Sequence, residues 1–147
     1  MTMKHFILTM TIGAMTLTGA ALANAEVSNP AVKDRMDLMG TIRGSFAVLG
    51  GMAQGKVDFD ADKATSAQAT LVEAAAKIPA KFEPNEADPE SEALPAIWEN
   101  WDDFVDHAAA LETAAAALDP SSLETVKAGV GKIGASCGGC HQTYRMK

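Results

Sequence analysis

The stretch "SSLETVKAGVGKIGASCGGCHQTYR", residues 121–145, decides how the rest of the chain is read. Leu123, Val126, Val130, Ile133, Cys137, Cys140 and Tyr144 recur at steps of three and four, the spacing of one helix face. Ser121 or Ser122 stands where an N-cap is expected. The same segment carries Gly129, Gly131, Gly134, Gly138 and Gly139. Each glycine inside a helix costs roughly 1 kcal/mol relative to alanine. A helix this rich in glycine makes sense if something large packs closely against its backbone. It also holds both cysteines of the chain.

Upstream, three further helices are legible. The first runs from about Ser28 to Ala53, with Val32, Arg35, Met39, Ile42, Phe46, Leu49 and Ala53 inward, Ser28 or Asn29 as cap and Pro30 in the first turn. The second starts after Asp60, presents Ala64, Ala67, Leu71, Ala74 and Ile78, and stops before Pro79. "PAKFEPNEADPESEALP" (79–95) holds four prolines and many acids, and is expected to be a non-helical, solvated loop. The third helix begins near Pro95 and shows Ile97, Trp101, Phe104, Ala108, Leu111, Ala115 and Leu118. Four amphipathic helices with short links, one excepted, predict an all-α, antiparallel four-helix bundle. Many of its core positions are alanine, which bury little apolar area each. An underfilled core beside a glycine-lined helix predicts a bundle that encloses a cofactor.

Residues 1–25, "MTMKHFILTMTIGAMTLTGAALANA", have a charged start, an apolar run from Phe6 to Leu22 and the small-residue pattern Ala23-Asn24-Ala25. This is the layout of a signal peptide cleaved after Ala25, leaving residues 26–147 as one domain. No later apolar run is long enough for a membrane anchor. The expected location is the periplasm. Net charge is −7, which disfavours nucleic acid and suits docking on basic patches of partner proteins.

"CGGCH" places Cys137 and Cys140 one helical turn apart, about 300° of rotation, with His141 about 40° from Cys137. Two sulfurs and an imidazole on one side suit covalent haem attachment, the thiols forming thioethers with the vinyl groups and the imidazole reaching the iron. A redox dithiol is the next reading, but it belongs after a strand in an α/β fold. Zinc needs further ligands, for which only His107 and carboxylates are on offer. A disulfide across two residues of a helix is poor geometry.

"GASCGGCHQTYR" near the C-terminus, "PAIWENWDDF" opening the third helix and "KVDFDADKA" opening the second resemble the cytochrome c′ family. The resemblance spans the whole of 26–147. It implies one covalently bound haem c per chain, held by Cys137 and Cys140, with His141 as proximal iron ligand. Members often dimerise through their first two helices, so a homodimer is possible on this resemblance. "VKDRMDLMGTIRGSFAVLGGMAQG" (32–55) is similar, without gaps, to the low-spin cytochrome c-554 and c-556 branch, in which a methionine of the first helix is the distal ligand; that position is Met39.

Residue chemistry points the same way without deciding it. Met39 lies on the inward seam and its thioether is a soft ligand for haem iron. Met36 is a rival one turn earlier, and both could be core filler. Arg35 occupies a seam position and needs a buried partner such as a haem propionate, unless it snorkels to solvent. Trp98, Trp101 and Phe104 read as core or haem-wall packing, and Tyr144 as a cap on that wall. His107, among Asn100, Asp103 and Asp106, reads as a solvated surface histidine. Arg145 matches the family but has no role derivable from sequence.

The expected function is soluble electron transfer with periplasmic redox proteins, by a low-spin haem with His141/Met39 ligation. The alternative is a five-coordinate cytochrome c′ that binds nitric oxide or carbon monoxide. Enzyme chemistry is not expected, since no catalytic constellation of His, Arg and acid is visible. Mass spectrometry of the mature native protein should find a chain beginning at Glu26 with one haem adduct; a mass without the adduct overturns the haem reading.

Overall fold

The computed structural model describes residues 26–147; the expected leader and its cleavage site lie outside the described residues. The helices are α1 (Pro30–Ala53), α2 (Ala61–Ala76), α3 (Ile78–Phe82), α4 (Ala96–Glu99), α5 (Trp101–Ala116) and α6 (Leu123–Tyr144). The four long ones form a closed ring in which α1 touches α2 and α6, and α5 touches α2 and α6. The fold is the expected antiparallel four-helix bundle. The ends of α1 and α6 show their opposed directions. The start of α1 is tied to Asp88 through Ser28, and the end of α6 is tied to Leu94 through Tyr144, on the same connecting segment.

Each long helix but one begins on a side-chain cap. Asn29 Oδ1 accepts from the Val32 amide at 3.1 Å, with Pro30 in the first turn, where its missing N–H costs nothing. Asp60 accepts from Lys63 at 3.0 Å. Ser122 and Thr125 form a reciprocal capping box. The turn after α1 needs Gly55, whose φ of +67° is strained for any other residue.

The core follows the expected stripes. Ala64, Ala67, Leu71, Ala74 and Ile78 are buried on the second helical run, and Ile97, Phe104, Ala108, Leu111, Ala115 and Leu118 on the third. On α1 the buried arc is wider than the seam predicted: Leu38, Ser45 and Met52 join Val32, Arg35, Ile42 and Leu49, while Met39, Phe46 and Ala53 are half-buried. Leu38, Ser45 and Met52 each stand one position before Met39, Phe46 and Ala53, so the buried arc takes in a second row beside the predicted one.

Three expectations are corrected. The second helix does stop before Pro79, at Ala76, but the stretch that follows is not all loop: Ile78–Phe82 form α3, with Pro79 in its first turn, where it is tolerated. The third helix is two pieces: Asn100 has φ −130° and ψ 50°, and its Nδ2 donates to the Ala96 carbonyl at 3.1 Å, a local bond that competes with helix continuation. Finally, the acidic segment is not all solvated surface. Asp88 is buried; its Oδ2 accepts from Ser28 N and Oγ, both at 2.9 Å, and from Asn29 N at 3.0 Å, while its Oδ1 accepts from Glu90 N at 3.0 Å.

These amides, that of Glu90 first and Asn29 next, pull the Asp88 carboxyl down to about 2 from 3.8. A carboxyl depressed by folding stabilises the native state above its ordinary value and loses that contribution as pH falls through the folded value. Asp88→Ala should therefore lower the thermal midpoint at neutral pH. The gap to wild type should close between pH 3.8 and about 2. A gap that persists at the acid end would show that the charge is not what stabilises the start of α1.

Candidate haem site

On α6, Cys137 and Cys140 carry free thiols, one turn apart and half-buried against the core. Loss of hydration raises both thiols above their ordinary value. Cys140 is pushed up to about 11, with the neighbouring Cys137 and Asp103 adding to the effect. A redox dithiol is activated by a shift in the other direction, a lowered value. His141 is exposed at the end of α6, and desolvation first, with the Arg145 charge second, lowers its imidazole below the ordinary value. Among the described residues no three His, Cys, Asp or Glu side chains are grouped to hold a metal ion on their own.

One contact marks the register of α1 against α6. A Cβ on Gly134 would lie 3.4 Å from Phe46 Cζ, so this glycine lets the Phe46 ring rest on the α6 backbone. The helices run in opposite directions. Seven residues back along α1 from Phe46 is Met39; seven residues on along α6 from Gly134 is His141. Both steps are two turns, about 10.5 Å, which return to nearly the same face. Met39 and His141 therefore share one level of the bundle. Met39 is half-buried against the core, whereas Met36 is 39% exposed.

Arg35 is 2% exposed, so it does not snorkel. Its guanidinium lies over two rings, with Cζ 5.6 Å from the Phe82 centroid and 5.2 Å from that of Trp98. Nη1 donates to the Pro84 carbonyl at 3.3 Å; Nη2 donates to the Glu86 carbonyl at 2.5 Å and to Ser91 Oγ at 3.3 Å. Nε is buried with no partner. Among the described residues no carboxylate forms an ion pair with it. A buried cation with an unused donor fits an anionic group such as a propionate.

The aromatic residues pack on one another against the core. Phe104 lies 5.2 Å from Phe82, 5.7 Å from Trp101 and 5.4 Å from Tyr144, ring centre to ring centre. Trp98 Nε1 donates to the Phe82 carbonyl at 2.8 Å. The Tyr144 hydroxyl donates to Asp103, and this bond, with desolvation, pushes its value up to about 12.

His107 is a correction. It is 32% exposed rather than solvated, 5.9 Å from the Tyr144 ring and 3.6 Å from Asp103 Oδ2, and its Cε1 lies 3.7 Å from where a Cβ on Gly139 would be. The signal in the sequence was Gly139 itself, a helical glycine that admits a neighbour, but which neighbour depends on how α5 meets α6. Arg145, without a role in the sequence, pairs with Glu92 at 2.5 Å.

Residues 30–145 match the model of the Cytochrome C′ family. The chain belongs to the cytochrome c′ family. A cytochrome c-556 from Agrobacterium fabrum is 40% identical over 141 residues, covering 93% of this chain and 95% of that protein. A cytochrome c-554 from Cereibacter sphaeroides is 34% identical over 150 residues, covering 92% and 97%. Among solved structures, cytochrome c′ from Rubrivivax gelatinosus superposes with a TM-score of 0.70 at 29% identity, over 78% of this chain and 94% of that one. A nitric oxide complex of a cytochrome c prime variant from Alcaligenes xylosoxidans gives 0.71 at 28% identity, over 83% and 100%. Covalently attached haem c is the cofactor of this family, and this chain has the two cysteines for it.

Arg35→Leu removes a buried charge and leaves the Pro84 and Glu86 carbonyls unpaired. Unfolding free energy should fall by about 2–4 kcal/mol. The reduction potential should also fall at low salt, because a positive charge near the iron favours the ferrous form. Equilibrium denaturation and redox titration check the two effects separately.

Proposed function

We propose that this chain is an exported, periplasmic electron carrier, with haem held by thioethers to Cys137 and Cys140, His141 as proximal iron ligand and Met39 as distal ligand. The observation that carries the reading is the common level of Met39 and His141, marked by the contact of Phe46 with Gly134. The cytochrome c-556 and c-554 relatives support the same branch. When bound, the haem supplies a one-electron ferric/ferrous couple.

The chain's own residues do the rest. Cys137 and Cys140 fix the cofactor to α6. The neutral imidazole of His141 supplies a nitrogen, and Met39 supplies a sulfur, which favours the reduced state relative to a second nitrogen. Two protein ligands in both oxidation states keep rearrangement small. Arg35 offers its unused Nε–H to a propionate. Phe82, Trp98, Trp101 and Phe104 exclude water from one side. Between Lys81 and Lys127 the chain has no lysine or arginine but many acids, which suits a redox partner with a basic patch.

A second reading is gas binding at an open distal position. The nitric oxide complex among the similar structures favours it, and it requires Met39 to be off the iron.

Wild-type ferric protein should be low-spin, with the weak far-red band of sulfur-to-iron charge transfer, and carbon monoxide should bind the ferrous form slowly. Met39→Leu conserves volume, costing under about 1.5 kcal/mol. It should give a high-spin, five-coordinate haem that binds carbon monoxide readily, while Met36→Leu changes neither property. A wild-type protein that is already high-spin favours gas binding. A change on Met36→Leu alone moves the ligand by one turn.

A further inference from the structure

The segment between α3 and α4 is tied to both helices that carry the proposed axial ligands. On the α1 side, Asp88 accepts from the Ser28 and Asn29 amides at 2.9 and 3.0 Å, and Asn29 Nδ2 donates to Glu86 Oε2 at 2.5 Å. The Arg35 fork grips the Pro84 and Glu86 carbonyls and Ser91 Oγ. Lys81 pairs with Asp34 at 2.6 Å. These ties fall at the cap and in the first two turns of α1, and Arg35 is one turn before Met39. On the α6 side, the Leu94 amide donates to the Tyr144 carbonyl at 3.0 Å, the Met146 amide donates to the Glu92 carbonyl at 2.8 Å, and Arg145 pairs with Glu92. Ala93 and Arg145 form an isolated antiparallel bridge. Tyr144 is one turn after His141.

The last tie to α1 is at Ser91 and the first to α6 is at Glu92, so a single peptide bond joins the two sets. A link this short has almost no slack, since one residue spans at most about 3.6 Å. We propose that residues 84–94 are a brace that sets the spacing of α1 and α6 at the level of Met39 and His141, and so holds Met39 within reach of the iron. Arg35, Asp88 and Ser91 are positioning residues in this arrangement. The inference rests on the Met39 reading above.

Lengthening the brace tests it without removing any residue that makes a tie. Two glycines are inserted between Ser91 and Glu92 in the haem-loaded protein. The control inserts two glycines between Gly55 and Lys56, in the turn at the other end of α1, for a similar loop-closure cost. The brace insertion should weaken the far-red sulfur–iron band. It should speed carbon monoxide binding to the ferrous form by about tenfold, because that rate follows the fraction of molecules with the sulfur off the iron. The control should leave both readings at wild-type values. Arg35→Lys keeps the charge but loses the fork, and should move both readings in the direction of the brace insertion. If the insertion protein does not accumulate, Ser91→Ala, which cuts one tie, decides by the same readouts. Unchanged band and rate in the brace variants, or equal changes in the control, overturn the brace. A wild-type protein without the band removes the Met39 reading, and the brace falls with it; the two failures are therefore told apart by the wild-type spectrum.

Discussion

The Arg35 guanidinium lies in the interior over Phe82 and Trp98, with no carboxylate paired with it among the described residues. A charge held there costs several kcal/mol unless its donors are met. Two of its nitrogens are met by backbone carbonyls of the segment 84–91, and this requirement draws an otherwise hydrophilic, proline-rich segment onto the start of α1. Once there, Asp88 takes the orphan amides at the α1 start and Trp98 has its indole N–H placed on Phe82. The connection then continues to the end of α6. One buried cation thus organises α1, the connection and, through it, the helix that carries the cysteines.

The register between α1 and α6 has a different origin. It is marked where side chain is absent: Gly134 accepts the Phe46 ring, while on the α5 side Gly129 meets Leu118, with approaches as short as 3.1 Å, and Gly139 meets His107. The glycine-rich helix, costly in isolation, is where three different neighbours come close to backbone. The electron-carrier and gas-binding readings share this scaffold. They differ in whether the sulfur of Met39 occupies the distal position.

What the sequence made legible follows from what is local. The bundle, the caps at Asn29, Asp60 and Ser122, and the apolar stripes of α2 and α5 are properties of periodicity and short-range hydrogen bonding. The cysteine pair with its histidine is a local pattern as well. The wider buried arc of α1 was missed because a single apolar seam was followed, while Leu38, Ser45 and Met52 form a second buried row beside it. The break at Asn100 is a change of backbone angles at one residue, which the apolar period running through it does not register. His107 and Asp88 were both read as solvated because their sequence neighbours are polar; their surroundings are made by residues 32 positions later and 60 positions earlier. Arg35 stood out in sequence as a charge on an apolar seam, but its carbonyl partners lie 49 and 51 residues away.

The glycines also divide the molecule by how far it could be hardened. Gly40 and Gly44 on α1, and Gly131 on α6, have no atom within 4 Å of a would-be Cβ. Alanine at such positions gains helix propensity worth roughly 1 kcal/mol each. Gly129 is different: its methyl would have to displace the Leu118 side chain. Thermal robustness is thus available along the outer faces of α1 and α6, and is closed off along the seams where their backbones are approached. The chain has left unused stability where it would be free, and given up helix propensity where its geometry is decided.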